Sequence, residues 1–316
     1  MDLLSDILFH MRLTGTLYFR TSFTSPWGVR VPSFKNVARF HYAHKGNCFV
    51  RIEGEDDPIV LGQGDFVIIP RGAAHTLYCD PDTERQAVTL DSVVEASGFT
   101  GHGTLVYGVP DTDQETQLVC GHFAFDENAN HPLIDALPSS IQIKNYGETS
   151  GRWIENTLKV IGAEAGVPQM GSDIIALKLS EIIFAQVLRA YLNKEGSYKP
   201  VLAGFADPHI ARVLEAIHRD PASAWSLEEL AKIAGMSRTS FVNKFTKSVS
   251  MTPLGYITHW RMQVARKQLT ESNAPIIEIA ENVGYQSEAA FGRVFKKQFQ
   301  TAPATYRREF LQTMQT

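Results

Sequence analysis

Between residue 15 and about residue 125, apolar and polar positions alternate in short runs broken by turn residues: TLYFR, WGVRV, VARFHYA, CFVRI, PIVL, DFVIIP, HTLYC, QAVTL, TLVYGV and QLVCGHF. A period of two at such even spacing predicts an all-β sandwich or barrel. Within VARFHYA, His41 and Ala43 share one strand face and His44 takes the other. From about Glu148 the period becomes helical, through RWIENTLKVIGAEAG and then SDIIALKLSEIIFAQVLRAYL from Ser172 to Leu192. Ser172 can cap this second helix, and Gly196 and Pro200 end it. Its apolar arc is wide, with Ile175, Leu179, Ile182, Ile183 and Leu188 on one stripe and Ile174, Leu177, Phe184 and Val187 on another. Such a helix packs either wholly within its own chain or between its barrel and a second subunit.

Further on, two stretches repeat each other: LEELAKIAGMSRTSFVNKF from Leu227 to Phe245, and IIEIAENVGYQSEAAFGRVF from Ile276 to Phe295. Leu230-Ala231 matches Ile279-Ala280 and Gly235 matches Gly284. After one inserted residue, Phe241, Phe245, Pro253 and Tyr256 match Phe291, Phe295, Pro303 and Tyr306. Each copy reads as a helix, a glycine turn and a second helix burying two phenylalanines four apart. Opposite Phe241 and Phe245 the first copy presents Thr239, Asn243, Thr246 and Lys247, with Arg238 at the start of the helix. Opposite Phe291 and Phe295 the second presents Ala289, Arg293, Lys296 and Lys297, with Glu288 and Gly292 on the margins. Arg293 suits the acceptor edge of guanine. PLGYITHWRMQVARKQL, starting at Pro253, joins the copies as one helix; at 1.5 Å per residue its roughly 17 residues span about 25 Å. That length suits two readers in successive major grooves, which lie about 34 Å apart on one DNA face. Arg261, Arg266 and Lys267 on this helix suit phosphate contacts.

Charge divides in the same way. From Ala206 onward there are 14 Lys and Arg against 10 Asp and Glu, and before it 16 against 24, an asymmetry that the overall −4 conceals. A basic module joined to an acidic one fits a nucleic-acid-binding half and a half with another task. The N-terminal MDLLSDILFHMRL carries acidic residues and only a short apolar run, so it reads as an amphipathic helix and not as a signal peptide. No run reaches the roughly 18 to 20 apolar residues that cross a bilayer. The three cysteines, Cys48, Cys79 and Cys120, show no paired spacing, which argues against a disulfide framework. A cytoplasmic, reducing location without membrane contact is the expectation.

Residues 207–312 resemble the DNA-binding domain of the AraC/XylS family of bacterial transcription regulators. The matching text is WSLEELAKIAGMSRTSFVNKF, TPLGYITHWRMQVARKQL, IIEIAENVGYQSEAAFGRVFKKQF and TAPATYRR. The resemblance implies double-stranded DNA as partner, the helices at 237–247 and 287–297 on adjacent major grooves, and contact with RNA polymerase. The segment GDFVIIPRGAAH, from Gly64 to His75, fits G-x5-P-x-G-x2-H and resembles the second motif of the cupin barrels. Cupin enzymes hold a metal with three histidines and a glutamate, and the first of their two motifs is incomplete here. If His41 is its first histidine, Ala43 replaces the second and Cys48 stands at the glutamate position. If Gly46 ends the motif, as its spacing to Gly64 favours, Arg39 occupies the glutamate slot.

A pocket without metal is therefore favoured over a zinc-like site at His41, Cys48 and His75. Cys120, beside Gly121 and in line with His122, reads either as a small buried hydrophobe or as a redox-responsive thiol. His41, His75 and Cys120 are the residues expected to line or sense the effector pocket, and no catalytic set is legible.

The expected architecture is α+β: a cupin-like sensor barrel over 1–146, a helical dimerisation segment over 147–193, a linker over 194–206 and an all-α double helix-turn-helix domain over 207–316. Asp207 and Pro208 begin that last domain as N-cap and first helical residue. The expected function is a homodimeric transcription regulator controlled by a small molecule or by thiol oxidation. Its rivals are a metal-dependent cupin enzyme with a helical appendage and a DNA-binding protein without sequence preference.

Overall fold

The computed structural model describes residues 2–11, 13–101, 103–108, 114–126, 128–144, 156–161, 164, 169–192 and 207–313, the side chains of 13–18, 173 and 176 excepted. The chain divides into two compact units. One comprises Leu13–Glu127 with Leu137–Asn193, and the other Met1–Arg12, Asn128–Ala136 and Lys194–Thr316. The two short segments 1–12 and 128–136, grouped with the barrel on sequence, thus fall with the C-terminal helices. The linker expected at 194–206 lies outside the described residues, and of RWIENTLKVIGAEAG only 156–161 and 164 are described, as helix.

The β-rich unit contains two sheets. The first runs in the order β11 (Ile141–Ile143), β6 (Phe66–Ile69), β3 (Val37–Lys45), β10 (Glu115–Phe125), β1 (Leu13–Thr24), β9 (Thr104–Tyr107). The second runs β5 (Ile59–Leu61), β4 (Cys48–Ile52), β7 (His75–Tyr78), β2 (Gly28–Val31), β8 (Val88–Thr89). Pairing is antiparallel except for β1 with β9 and β2 with β8. A closed barrel is not what forms: among the described residues no ladder joins the two sheets. The strands β5, β8 and β11 are only three, two and three residues long, too short to carry pairing around the edges. Each strand expected from the alternation is present. A helix over Leu90–Ser97, capped by Thr89, and the strand β11 are additions that the alternation does not signal.

Alternation on β3 sorts side chains between two buried layers. Arg39, His41 and Ala43 face the second sheet in register with His122, Cys120 and Leu118 of β10 and with Ile69 and Val67 of β6. Phe40 points the other way and stacks on Phe66 and Phe123, at ring-centroid distances of 5.9 and 4.9 Å. That outer layer is covered by the helix Ser172–Leu192, whose Phe184 packs on Phe123 and Phe125 at 5.5 and 5.2 Å. Burying a phenylalanine in this way contributes about 1.5–3 kcal/mol. Burial does not follow the two stripes: Ile183, Phe184, Val187 and Leu188 are buried, whereas Ile174, Ile175 and Ile182 remain exposed.

In the other unit we number the helices α1 (Leu3–Met11), α2 (Pro132–Asp135), α3 (Pro208–Arg219), α4 (Leu227–Ala234), α5 (Arg238–Val249), α6 (Pro253–Glu271), α7 (Ile276–Asn282), α8 (Glu288–Phe299) and α9 (Pro303–Thr313). Hydroxyl and carboxylate caps set most of the starts: Asp207, Ser226, Ser237, Thr252 and Ser287 each accept a backbone N–H of the first turn. Ser226 and Glu229 close a reciprocal capping box. Helix α6 is the spine. It buries Tyr256, Trp260 and Ile257 towards its start and Met262, Ala265 and Leu269 towards its end, so it supplies core to both helix-turn-helix copies.

The N-terminal helix α1 is held against α3 and α6 by polar contacts. His131 Nδ1 accepts the N–H of Leu133 (3.1 Å), so its Nε2–H donates to the Tyr256 hydroxyl (2.9 Å). Tyr256 then donates to His218 Nε2 (2.7 Å), and His218 Nδ1–H donates to Asp6 (2.8 Å). Neutral imidazoles satisfy every link in this chain. His218 also lies flat on Trp260 at 3.6 Å, and Arg266, 1% exposed, donates to the backbone oxygen of His10 at 2.8 Å.

Burial lowers the pKa of His131 and His218 below the ordinary 6.5, and His75 in the β-rich unit is pushed down to about 4. Above about pH 6.5 these rings are neutral whether folded or unfolded. Below it the unfolded chain takes up protons that the folded one refuses, so stability should be level above about pH 6.5 and decline as the pH falls. Urea titrations of the full chain at a series of pH values check this; stability rising on acidification would contradict it. Tyr256→Phe should cost about 1–3 kcal/mol in the same assay, because it strands two buried imidazole nitrogens.

The two turn glycines, equivalent in the repeat, differ in their surroundings. Gly235 has φ +66° and open space where a Cβ would stand, whereas Gly284 has φ +81° and a Cβ there would lie 2.5 Å from the oxygen of Ala222. Gly235→Ala should therefore cost about 1–2 kcal/mol, the ordinary left-handed penalty, and Gly284→Ala clearly more. Equal losses in denaturant unfolding would show that the close approach carries no energy.

Candidate functional site

Two regions bear on function. In the helical unit, Phe241 and Phe245 of α5 are fully buried with rings 5.6 Å apart, and Phe291 and Phe295 of α8 repeat this at 5.5 Å. The burial of those faces turns the opposite ones outward. Arg238, Thr239, Asn243 and Lys247 are exposed on α5, with Thr246 half-buried. On α8, Glu288, Ala289, Arg293, Lys296 and Lys297 are exposed and Gly292 is half-buried. Arg238 pairs with Glu228 of α4 at 3.1 Å, both side chains in solvent.

The spine helix α6 departs from the expected row of phosphate contacts. Arg261 donates to the backbone oxygens of Pro221 and Ser223 at 2.7 and 2.8 Å and lies against the Tyr285 ring. It thus fastens the loop before α4 onto the turn at Gly284. Arg266 is buried as described, and the Lys267 ammonium sits over the Phe9 ring of α1. The sequence pattern showed which residues these were and not that α1 would cover them.

In the β-rich unit, the space between the sheets is a cavity of about 200 Å³. Phe19, Phe23, Leu77 and Leu105 are among its apolar walls, and Arg39, His41, Cys120 and His122 supply its polar surface. His41, His75 and Cys120, the residues that the sequence singles out, come together in one chain of hydrogen bonds. His75 Nδ1–H donates to the oxygen of Ala73 (2.9 Å), leaving its Nε2 to accept from His41 Nε2–H (2.8 Å). His41 Nδ1 must then accept, and the Cys120 thiol, 3.1 Å away, is its donor. Burial pushes the Cys120 thiol up, and Cys48 is pushed up to about 12. Both imidazoles are pushed down, in each case by burial first.

This donor set does not fit the metal of the cupin enzymes. The two Nε2 atoms face each other across a hydrogen bond, no carboxylate stands with them, and the Arg39 guanidinium lines the same space. Among the described residues no three His, Cys, Asp or Glu side chains converge on a point that could hold an ion. All three cysteines are free.

Arg39 enters the sequence reading only as the occupant of a vacant glutamate slot. Period two was a sufficient signal, since a residue two before His41 must share its face. The aromatic walls from β1 had no such signal, because nothing in the sequence says which strands lie across the cavity from β3.

A family model described as Cupin matches residues 2–193, and one described as Helix-turn-helix domain matches residues 230–309. The chain is 33% identical over 312 residues to a putative AraC-like transcription regulator of Streptomyces lividans, covering 98% of each. It is 26% identical over 311 residues to the HTH-type transcriptional regulator MtrA of Neisseria gonorrhoeae, covering 98% of this chain and 99% of that one. Among solved structures, the DNA-binding domain of AdpA in complex with a target DNA is 29% identical over 33% of this chain and 93% of that chain, with a TM-score of 0.31. No described helix is long and apolar enough to cross a membrane. The chain belongs to the AraC-type transcriptional regulators that join an N-terminal cupin domain to a C-terminal helix-turn-helix domain.

Proposed function

We propose that the chain is a cytoplasmic, sequence-specific transcription regulator that reads DNA through α5 and α8 and responds to a small molecule held between its two sheets. The observation that carries the DNA reading is the pair of buried Phe-Phe stripes, which present two outward faces of different chemistry. Thr239 and Asn243 on α5 offer short hydrogen-bonding groups, and Lys247 reaches for phosphate. On α8, Arg293 is the base reader, Ala289 and Gly292 let the helix approach closely, and Lys296 and Lys297 take phosphates. Arg238 and Glu288 stand at the first turns of the two reading helices. Arg261 acts indirectly, by holding the loop that orients α4. RNA polymerase is the partner through which bound protein changes transcription. The exposed Ile174, Ile175 and Ile182 stripe suits pairing of two sensor domains.

Of the two inputs expected from the sequence, the small molecule is favoured. The cavity has apolar walls and a few polar groups, the usual composition of a ligand site. The Cys120 thiol is buried, and burial pushes its pKa up and keeps it protonated, which makes it a poor nucleophile towards oxidants. The rival enzyme reading asks for a cupin metal, which the facing Nε2 atoms of His41 and His75 and the Arg39 guanidinium beside them do not suit.

Selection of preferred sites from random DNA, followed by competition against unrelated DNA across a salt series, tests this reading. Arg293→Ala should weaken the preferred site by about 1–3 kcal/mol and relax one base-pair position. Lys297→Ala should weaken all sequences evenly and flatten the salt dependence by about one unit. A protein with no preferred site, or an Arg293→Ala loss equal on every sequence, would refute base reading by α8.

A further inference from the structure

The polar end of the cavity is a cation without a counter-charge among the described residues. Arg39 is 9% exposed, lines the space between the sheets, and its Nε–H has no hydrogen-bond partner among the described residues. The Phe34 ring lies 4.3 Å from the guanidinium carbon and so occupies one face of the group. A stacked face leaves the in-plane N–H edges for acceptors, and the edge made by Nε and its neighbouring nitrogen is one that carboxylates grip with both oxygens. The paired imidazoles nearby do not meet this need. His41 and His75 are committed to one another, to the Cys120 thiol and to the oxygen of Ala73. No acidic side chain among the described residues forms an ion pair with Arg39. Holding an unpaired charge in an apolar space is costly, and an anion entering the cavity offsets that cost.

The geometry points to a monoanionic acid with a compact apolar body as the ligand of this cavity, its carboxylate on Arg39 and its body against Phe19, Phe23, Leu77 and Leu105. The position that carries a metal-binding carboxylate in the favoured cupin register holds a guanidinium here, which inverts the charge preference of the site from cations to anions. About 200 Å³ admits a short alkyl chain or a single ring. Neutral molecules of the same shape would fill the walls and leave the charge unanswered.

This assignment rests on the cavity being the effector site, so binding and regulation are measured separately. The probes are octanoate and phenylacetate, with octanamide and phenylacetamide as neutral counterparts, added to the full-length protein without DNA in thermal unfolding and calorimetry. The acids should bind and raise the unfolding temperature while the amides bind far more weakly. Arg39→Met should weaken the acids about tenfold to a hundredfold, the usual effect of losing a charged hydrogen bond, and leave the amides unchanged. Without ligand, Arg39→Met should unfold at or above the temperature of the unaltered protein, because the uncompensated charge is gone. Should that variant fail to fold, Arg39→Lys must keep the preference for acid over amide while binding more weakly.

Acid and amide bound alike, no binding by either acid, or an acid preference that survives Arg39→Met would overturn the assignment. Binding that depends on Arg39 but leaves operator affinity unaltered would support the site and overturn the regulatory reading alone.

Discussion

A buried polar group must find a partner, and that requirement organises both units of this protein. In the helical unit it produces the run from Asp6 through His218 and Tyr256 to His131. In the β-rich unit it produces the run from Cys120 through His41 and His75 to Ala73. Each run closes with neutral imidazoles and one direction of donation, so each specifies a single arrangement of the elements it joins. Three described buried side-chain atoms fall outside the rule: two indole N–H groups, of Trp27 and Trp260, and the Nε of Arg39. An unpaired indole costs the desolvation of a neutral donor, whereas an unpaired guanidinium leaves a charge unanswered. The polar centre of the cavity is therefore asymmetric, with a satisfied histidine pair beside a guanidinium whose Nε has no partner among the described residues.

The same accounting separates the two helix-turn-helix copies, which look alike as text. Both bury a phenylalanine pair and both turn at a left-handed glycine. Only the second turn is pressed against another loop, where Gly284 meets Ala222 and Arg261 collects the carbonyls of 221–223. The first turn, at Gly235, stands in open space. A segment tied into a neighbouring loop opens less readily than one held only by its own helices, so the copies differ in rigidity as well as in the side chains they show. Their outward residues follow from burial alone and need no such support.

Much of this was legible in the chain. Alternation placed the strands and put His41 on the inner face, and helical periodicity with the cap at Asp207 and the helix start at Pro253 placed the C-terminal helices, because those signals depend only on neighbours in sequence. The outward residues of α5 and α8 followed from the same periodicity. Closure of the barrel was not legible: alternation fixes which way a side chain points and says nothing of which edge strands are long enough to pair. Segments 1–12 and 128–136 belong with the sensor by proximity in sequence, yet Asp6, His10 and His131 find their partners on α3 and α6.

What the sequence determined by itself was local: the element types, the faces they bury, the family to which the motifs point and the residue types available for chemistry. What only the tertiary structure decided was which polar groups meet. The Cys120 thiol became a donor to an imidazole, Arg261 and Arg266 became structural cations, and Arg39 became a cation lining an apolar cavity with no acidic partner among the described residues. The physical reason is that hydrogen bonding and desolvation depend on distances of a few ångströms between residues far apart in the chain, which no periodicity encodes.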